Sequence, residues 1–355
     1  VVSESYSCAS GGVIAAGRSV KTALQIAADA LAGGNAAIVS NASLNTAGAN
    51  GTTPWGATGS SGSLTMLDWA NDMPWDPVKK RVYASGGRGY SDPLAQKMVK
   101  FDAKENVWES FINPWQGGTG GHMYDASDYA SNHQKMLHVP FGNAEIHVWD
   151  TVTETVGTPI AAPPTGSYGG LNGVSTLTWH PTLGSQGSIV FMNLTRKRIQ
   201  RYDWQSAAWS ELKLDAVAAE TAHMVSVYLP GPEIVLIGAA LAAAPPYQAL
   251  NIIDNTGAWS TTSPLPCQVS CNGAAARGPI VPHPDGNGAI IFSLDDGHIY
   301  HWIAATNTWH DRGLAPTDLI QVTSVACSIP EYGVVLFVDR GYGGSVYSCK
   351  IYKPG

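Results

Sequence analysis

Charge is scarce in this chain. Asp, Glu, Lys and Arg make up 13% of its 355 residues, and 20 basic side chains against 27 acidic ones leave a formal charge of −7. Basic residues come no denser than short triplets such as Arg196-Lys197-Arg198, so the positive footprint that a nucleic acid partner needs is lacking. Long apolar stretches are lacking too: no run approaches the roughly 18 consecutive apolar residues of a helical membrane span. Cysteine is limited to five, at 8, 267, 271, 327 and 349. The Cys267/Cys271 spacing has no second ligand pair near it, which excludes the usual zinc patterns, and neither metal nor cofactor is expected. Phenylalanine numbers 6, so the aromatic content rests on 12 Trp and 14 Tyr, rings with a polar tip.

What is abundant points to strands and turns. Gly numbers 39 and Pro 22, within a chain that is 44% hydrophobic. One figure recurs: VKFDAKENVW at residues 99–108, an alternating strand, an Asp, a polar turn and a Trp. It returns as IQRYDWQSAAW ending at Trp209, as LNIIDNTGAW ending at Trp259 and, without its Asp, as IYHWIAATNTW ending at Trp309. A weaker copy, IHVWDTVTETV, has Asp150 in register and Val156 where the Trp would stand. Tyr352 lies 150 residues after its counterpart Tyr202, three steps of fifty. Self-similarity at that period is the mark of a propeller blade. A turn signal repeats in phase with it: MPWDPVKKRVYAS, TWHPTLGSQGSIVFM, VYLPGPEIVLIG, IVPHPDGNGAIIF and CSIPEYGVVLFV, with a sixth, DYASNHQKMLHVP, that keeps the length and lacks the Pro. Six such units predict an all-β, six-bladed propeller over residues 64–355.

Residues 1–63 read as an N-terminal arm. Val20, Leu24, Ala27, Ala28 and Leu31 form a short helical stripe that Gly33-Gly34 stops. Residues 35–63 are rich in Gly, Ser, Asn and Thr and read as an extended arm or long loop. Asn41-Ala-Ser43 and Asn50-Gly-Thr52 fit the N-glycosylation triplet, which polar loops also produce by chance. The last repeat runs out after its third strand, so a fourth is expected from elsewhere, and residues 5–9 are the expected donor. That placement would set Cys8 beside Cys349 and permit a disulfide; five unpaired, mostly buried thiols are the other reading.

VYASGGRGYSD followed by VKFDAKENVW resembles a kelch blade: a strand, the Gly86-Gly87 pair, an aromatic-bearing strand, a polar turn and a Trp. The resemblance covers blade one and the Trp positions of three others, and it implies a fold rather than an activity. The Trp at 108, 209, 259 and 309 are expected to pack between blades.

In such a ring the inner strands begin around one mouth. The turn alignment places Asn71, Tyr124 and Asp125, Ser175, His223, Arg277 and Ser324 there, with His122 two residues before Tyr124 on the same side of its strand. Arg277 pairing with an acidic sugar's carboxylate, while His122, His223 or Tyr124 exchanges a proton, would meet the needs of β-elimination. This is similar to the residue types of propeller-type polysaccharide lyases. The same groups also suit a binding site without turnover, with Asn71, Asp125, Tyr90, Trp115 and Tyr168 as ligand contacts, or a mouth whose polar groups simply meet solvent. No G-x-S-x-G elbow or copper-radical set is found, Asp68, Asp72 and Asp125 leave a glycosidase pair open, and Asp295-Asp296-Gly297 reads as a hairpin turn. The leading expectation is a non-enzymatic recognition or assembly propeller on an extracellular or virion surface. Its partners would be a polysaccharide or cell-surface glycan, and neighbouring subunits gripped through residues 1–63. The alternative is an extracellular lyase or glycosidase acting on an acidic polysaccharide.

Overall fold

A computed structural model describes residues 21–39, 41–46, 53–55, 67, 73–87, 96–112, 126–139, 145–161, 163, 176–193, 198–213, 224–238, 247–269, 278–316, 319, 325–340 and 347–355. They form six antiparallel sheets, five of four strands and one of five. The innermost strands are Trp75–Asp76, Ser127–Ala130, Thr176–His180, Val225–Leu229, Ile280–Pro282 and Val325–Ile329. Each is followed outward by its sequence neighbours, so the chain is laid down blade by blade from the hub.

Six apolar clusters fill six seams and show that the ring is closed. Blade one meets blade two through Tyr83, Met98, Met136 and Trp149. Leu137, Val148, Leu177 and Phe191 join blades two and three, and Val190, Ile199, Val235 and Ile253 join three and four. Blades four and five share Val227, Leu236, Ala289 and Trp302; five and six share Ile290, Phe292, Val335 and Phe337. The last seam, six to one, holds Leu336, Val338, Val99 and Phe101. Fully burying a side chain of this size stabilises the fold by about 1.5–3 kcal/mol. Among the described residues, the seam between blades one and two is the leanest in apolar groups. Charge supplements it: Arg81 of blade one pairs with Glu154 of blade two, and Lys100 Nζ lies 3.5 Å from the same carboxylate. The protein is a six-bladed β-propeller.

The recurrent Asp has a local cause. Asp102 accepts the amides of Lys104 and Glu105 at 3.0 and 3.2 Å, and Asp150 those of Val152 and Thr153 at 2.8 and 3.0 Å. Asp203 and Asp254 bind the amides of Ser206 and Thr256 in the same way. The carboxylate thus closes the turn between the third and fourth strands. Two residues before the Trp position the backbone turns left-handed, at Asn106, Glu154, Ala207, Gly257 and Asn307, with φ from 51° to 84°. In the copy without Trp the outer strand is broken into Thr155–Val156 and Ile160–Ala161, both paired to Glu145–Asp150. The Asp295-Asp296-Gly297 segment is a hairpin turn, closed by Ser293 N to His298 O at 2.9 Å.

Of the four expected seam tryptophans, three behave as such. Trp108 stacks on Phe101 at 4.7 Å and meets Trp55 edge-on at 5.7 Å. Trp209 donates from Nε1 to Ala161 O of blade two at 2.8 Å, and Trp309 to Ser263 O at 3.4 Å. Trp259 differs in exposure rather than in reach: it is 47% exposed, and its contact across the seam is Lys213 of blade three, whose Nζ lies 3.8 Å from its ring centroid. Its strand, Trp259–Thr261, is a three-residue outer edge whose first two residues are exposed.

The closing strand is not where the sequence placed it. Asn35–Ile38 pairs antiparallel with Tyr347–Lys353, setting Ala36 opposite Tyr352 and Ala37 opposite Ile351. The expected donor, residues 5–9, lies outside the described residues, as does Cys8; Cys349 is a buried free thiol. Residues 35–38 read as loop because a four-residue edge strand of Asn, Ala and Ile has too little alternation to be seen alone. The helix is Ala23–Ala30, capped by Thr22 Oγ1, which accepts Gln25 N at 3.0 Å. Leu24 and Ala28 are buried on the first and last blades, and Lys353 Nζ reaches Ala28 O at 3.2 Å. The described part of the arm therefore folds onto its own ring. Asn41 is engaged there too, accepting Ser43 N at 3.1 Å and donating to Asn106 O at 3.0 Å.

Candidate functional site

The ring gathers one repeated sequence signal into one place. Each innermost strand ends where the chain reverses, and the residue just past that end is Pro77, Ser131, Pro181, Pro230 or Pro330 in five blades. In blade five the strand ends on Pro282 itself. The residue two before the reversal is aromatic in four blades: Trp75, Tyr129, Trp179 and Tyr228. Proline suits these positions because the backbone leaves the sheet there and no ladder donor is lost. Together they line an axial cup of about 400 Å³ to which all six blades contribute. Trp75 and Tyr228 are half-buried, so part of each ring is open to an occupant.

Several polar groups in and around the cup hold blades together. Asp128 of blade two accepts the Thr178 hydroxyl at 2.9 Å and the Trp179 amide at 2.6 Å, both in blade three. Glu331 of blade six accepts Trp75 Nε1 at 2.6 Å and Lys80 Nζ at 2.8 Å, both in blade one. The Thr176 and Ser226 hydroxyls meet at 2.5 Å across the seam between blades three and four. Met73 N donates to Ala326 O at 2.9 Å, and Gly231 N to Gly286 O at 3.0 Å. Burial raises the Tyr228 phenol above its ordinary range. Beside it, ring centroids 5.0 Å apart, burial lowers the His180 imidazole to about 4. At neutral pH both are uncharged. The described part of the cup therefore offers apolar and aromatic surface, the Tyr129 and Ser328 hydroxyls and the Trp179 indole nitrogen buried without a hydrogen-bond partner, and two carboxylates, Asp128 and Glu331, that are already engaged. Among the described residues no group of three or more His, Cys, Asp or Glu is placed to hold a metal ion.

The residues that the sequence singled out are not among these. His122, Tyr124, His223 and Arg277, and with them Asn71, Asp125, Tyr90, Trp115 and Tyr168, lie outside the described residues. The strand starts that follow them, at Ser127, Val225 and Ile280, do stand around the common axis. The turn-side cup was missed although its signal was visible. The Pro of each repeat read as a turn former, when its recurrence in every inner hairpin but one also makes a rim.

No family model matches the chain, and no curated protein matches it. Among solved structures, it is similar to a chain of a nidogen/laminin complex at 9% identity and a TM-score of 0.46, covering 69% of this chain and 80% of that one. It is also similar to a catalytically inactive virginiamycin B lyase from Staphylococcus aureus with quinupristin, at 12% identity and a TM-score of 0.48, covering 79% and 78%.

Proposed function

We propose that this propeller is a recognition or assembly module that seats its partner in the axial cup on the turn side of the ring. One observation carries the reading: all six blades line the cup with proline and aromatic surface, while its two carboxylates are spent on seams. A surface of that kind gains free energy by excluding water from an apolar face and does no proton transfer. The ligand class that fits is a glycan whose apolar sugar face lies on the open parts of Trp75 and Tyr228. With this go the sequence expectations of kelch-like blades and of an extracellular or virion setting.

Titration with neutral hexose and uronate oligosaccharides, followed by tryptophan fluorescence, tests it. Saturable binding is expected, weakened at least tenfold by Trp75→Ala or Tyr228→Ala, the scale of about 1.4 kcal/mol per contact. Binding that survives both substitutions unchanged would place the ligand elsewhere.

A second reading rests on the other mouth. The strand starts that converge there are preceded in sequence by His122, Tyr124, His223 and Arg277. That set suits lyase chemistry on an acidic polysaccharide. Release of unsaturated uronate, read by ultraviolet absorbance and lost in His223→Ala and Arg277→Ala, would favour this reading over recognition alone.

A further inference from the structure

Away from the axis, the face of blade five that turns toward blade six carries nitrogen groups that the cup does not use. His301 lies in the strand His298–Ile303, His310 and Arg312 in Thr308–Leu314, and His283 directly follows Ile280–Pro282. Pairing sets Ile290 opposite both Val281 and His301, and His301 opposite His310, so these side chains share one face. The His283 and His301 rings stack with centroids 4.2 Å apart and planes 12° from parallel.

The hydrogen bonding fixes the tautomer. Arg312 Nη2 is 3.0 Å from His301 Nδ1, and a guanidinium only donates. Nδ1 is then the acceptor and the ring hydrogen sits on Nε2. His301 is only 8% exposed, and its Nε2 is buried without a partner. Asp285 is the nearby side-chain carboxylate, and its Oδ1 lies 2.6 Å from His283 Nδ1. The other arginines whose side chains are described, Arg81, Arg198 and Arg201, each pair with a carboxylate. Among the described residues Arg312 has none. It lines a cavity of about 220 Å³ with His283, His301 and Tyr352.

We infer that this crevice between blades five and six binds a small oxyanion, a carboxylate or a tetrahedral sulfate or phosphate group, on the Arg312 guanidinium and the imidazoles beside it. The planar fork of arginine matches two oxygens of such a group, and a guanidinium without a counter-charge is the element most stabilised by acquiring one. A metal ion does not suit a site whose outermost group is a fixed cation.

Protonation follows from the same geometry. The titratable and charged groups facing the crevice are His283, Asp285, His301, His310, Arg312, Tyr352 and the carboxylate of Gly355, which lines the cavity without an ion pair to Arg312. Burial lowers both stacked imidazoles, His301 to about 4, with the neighbouring imidazole and Arg312 adding to it. A bound anion favours their charged forms, so binding takes up protons and strengthens as pH falls.

Calorimetric titration of the full chain with sulfate and with glucuronate, using glucose as the neutral control, tests the site. Sulfate keeps its charge across the range, so its pH dependence reports the protein. One-to-one binding is expected, tighter at pH 5.5 than at 7.5 and silent with glucose. It should weaken at least tenfold in Arg312→Ala, less in Arg312→Lys, and stay unchanged in Arg198→Ala. Whichever anion binds more tightly identifies the group the site takes. Absence of saturable heat with both anions, binding unaltered in Arg312→Ala, or an equal loss in Arg198→Ala would overturn the assignment. Arg312 is exposed on an outermost strand, and a melting curve for each variant shows that its fold is kept.

Discussion

The Asp128 carboxylate of blade two accepts the Trp179 backbone amide of blade three at 2.6 Å. Its second oxygen accepts the Tyr129 amide at 2.6 Å, so one side chain fixes the innermost strands of two blades at the cup. Asp128→Ala would leave these amides and the Thr178 hydroxyl without their acceptor, at about 1–3 kcal/mol for each group left unsatisfied. A stability loss on the order of 3 kcal/mol is expected in urea unfolding, and a smaller one for Asp128→Asn, which keeps an acceptor. Equal stability of Asp128→Ala and the parent chain would mean the contact is incidental.

Blade six holds a charge pair deep in the sheet. Lys350 Nζ lies 2.6 Å from Asp339 Oδ2, with side-chain exposures of 9% and 1%, and Ser348 donates to the other oxygen. Removing one partner strands the other in a dry site. Lys350→Met alone is expected to cost about 3–5 kcal/mol, whereas Lys350→Met with Asp339→Leu should recover most of it. Urea midpoints of the two single variants and the double variant read this directly. A double variant no more stable than the worse single one would refute it.

Acid should loosen the ring before it protonates the carboxylates. Burial lowers His138 to about 3, and His147, which faces it across the strands of blade two, to about 4; His180 is also near 4. Unfolded, each returns to about 6.5, so between pH 6.5 and 4 the unfolded chain binds more protons than the folded one. The contribution of these rings is complete above pH 6.5 and is lost as pH falls toward 4. Urea midpoints should therefore drop steadily from pH 7 to 4.5, and less steeply in His180→Leu. A flat profile over that range would contradict the burial assigned to these rings.

Ring closure depends on a strand that precedes every blade. Deleting residues 1–40 removes Asn35–Ile38 from the edge of Tyr347–Lys353 and takes Leu24 and Ala28 out of the core. The melting temperature by circular dichroism should fall by about 10 °C or more, since several kcal/mol of burial and pairing go with it. Unchanged melting would show that the ring closes without this strand.

The blades were legible in the sequence because each carries its own local signals. Asp102, Asp150, Asp203 and Asp254 close their turns through bonds made within a few residues, and that chemistry is visible one segment at a time. The closing strand was not legible, because Ala36 and Ala37 gain strand character only from Tyr352 and Ile351, more than 300 residues later. The cup was half-legible: its prolines could be counted, but the inward convergence of Pro77, Pro181, Pro230 and Pro330 exists only once the ring is closed. The Arg312 crevice left no trace, since His283, His301 and Arg312 have no spacing that any motif would flag.

Hydrogen–deuterium exchange, with and without the tightest-binding oligosaccharide, tests the central claim most directly. Bound ligand should slow exchange in the turns after the six innermost strands, in all six blades at once, with the outer strands unchanged. Protection confined to the outer strands, or to the mouth where the innermost strands begin, would contradict a turn-side cup as the seat of recognition.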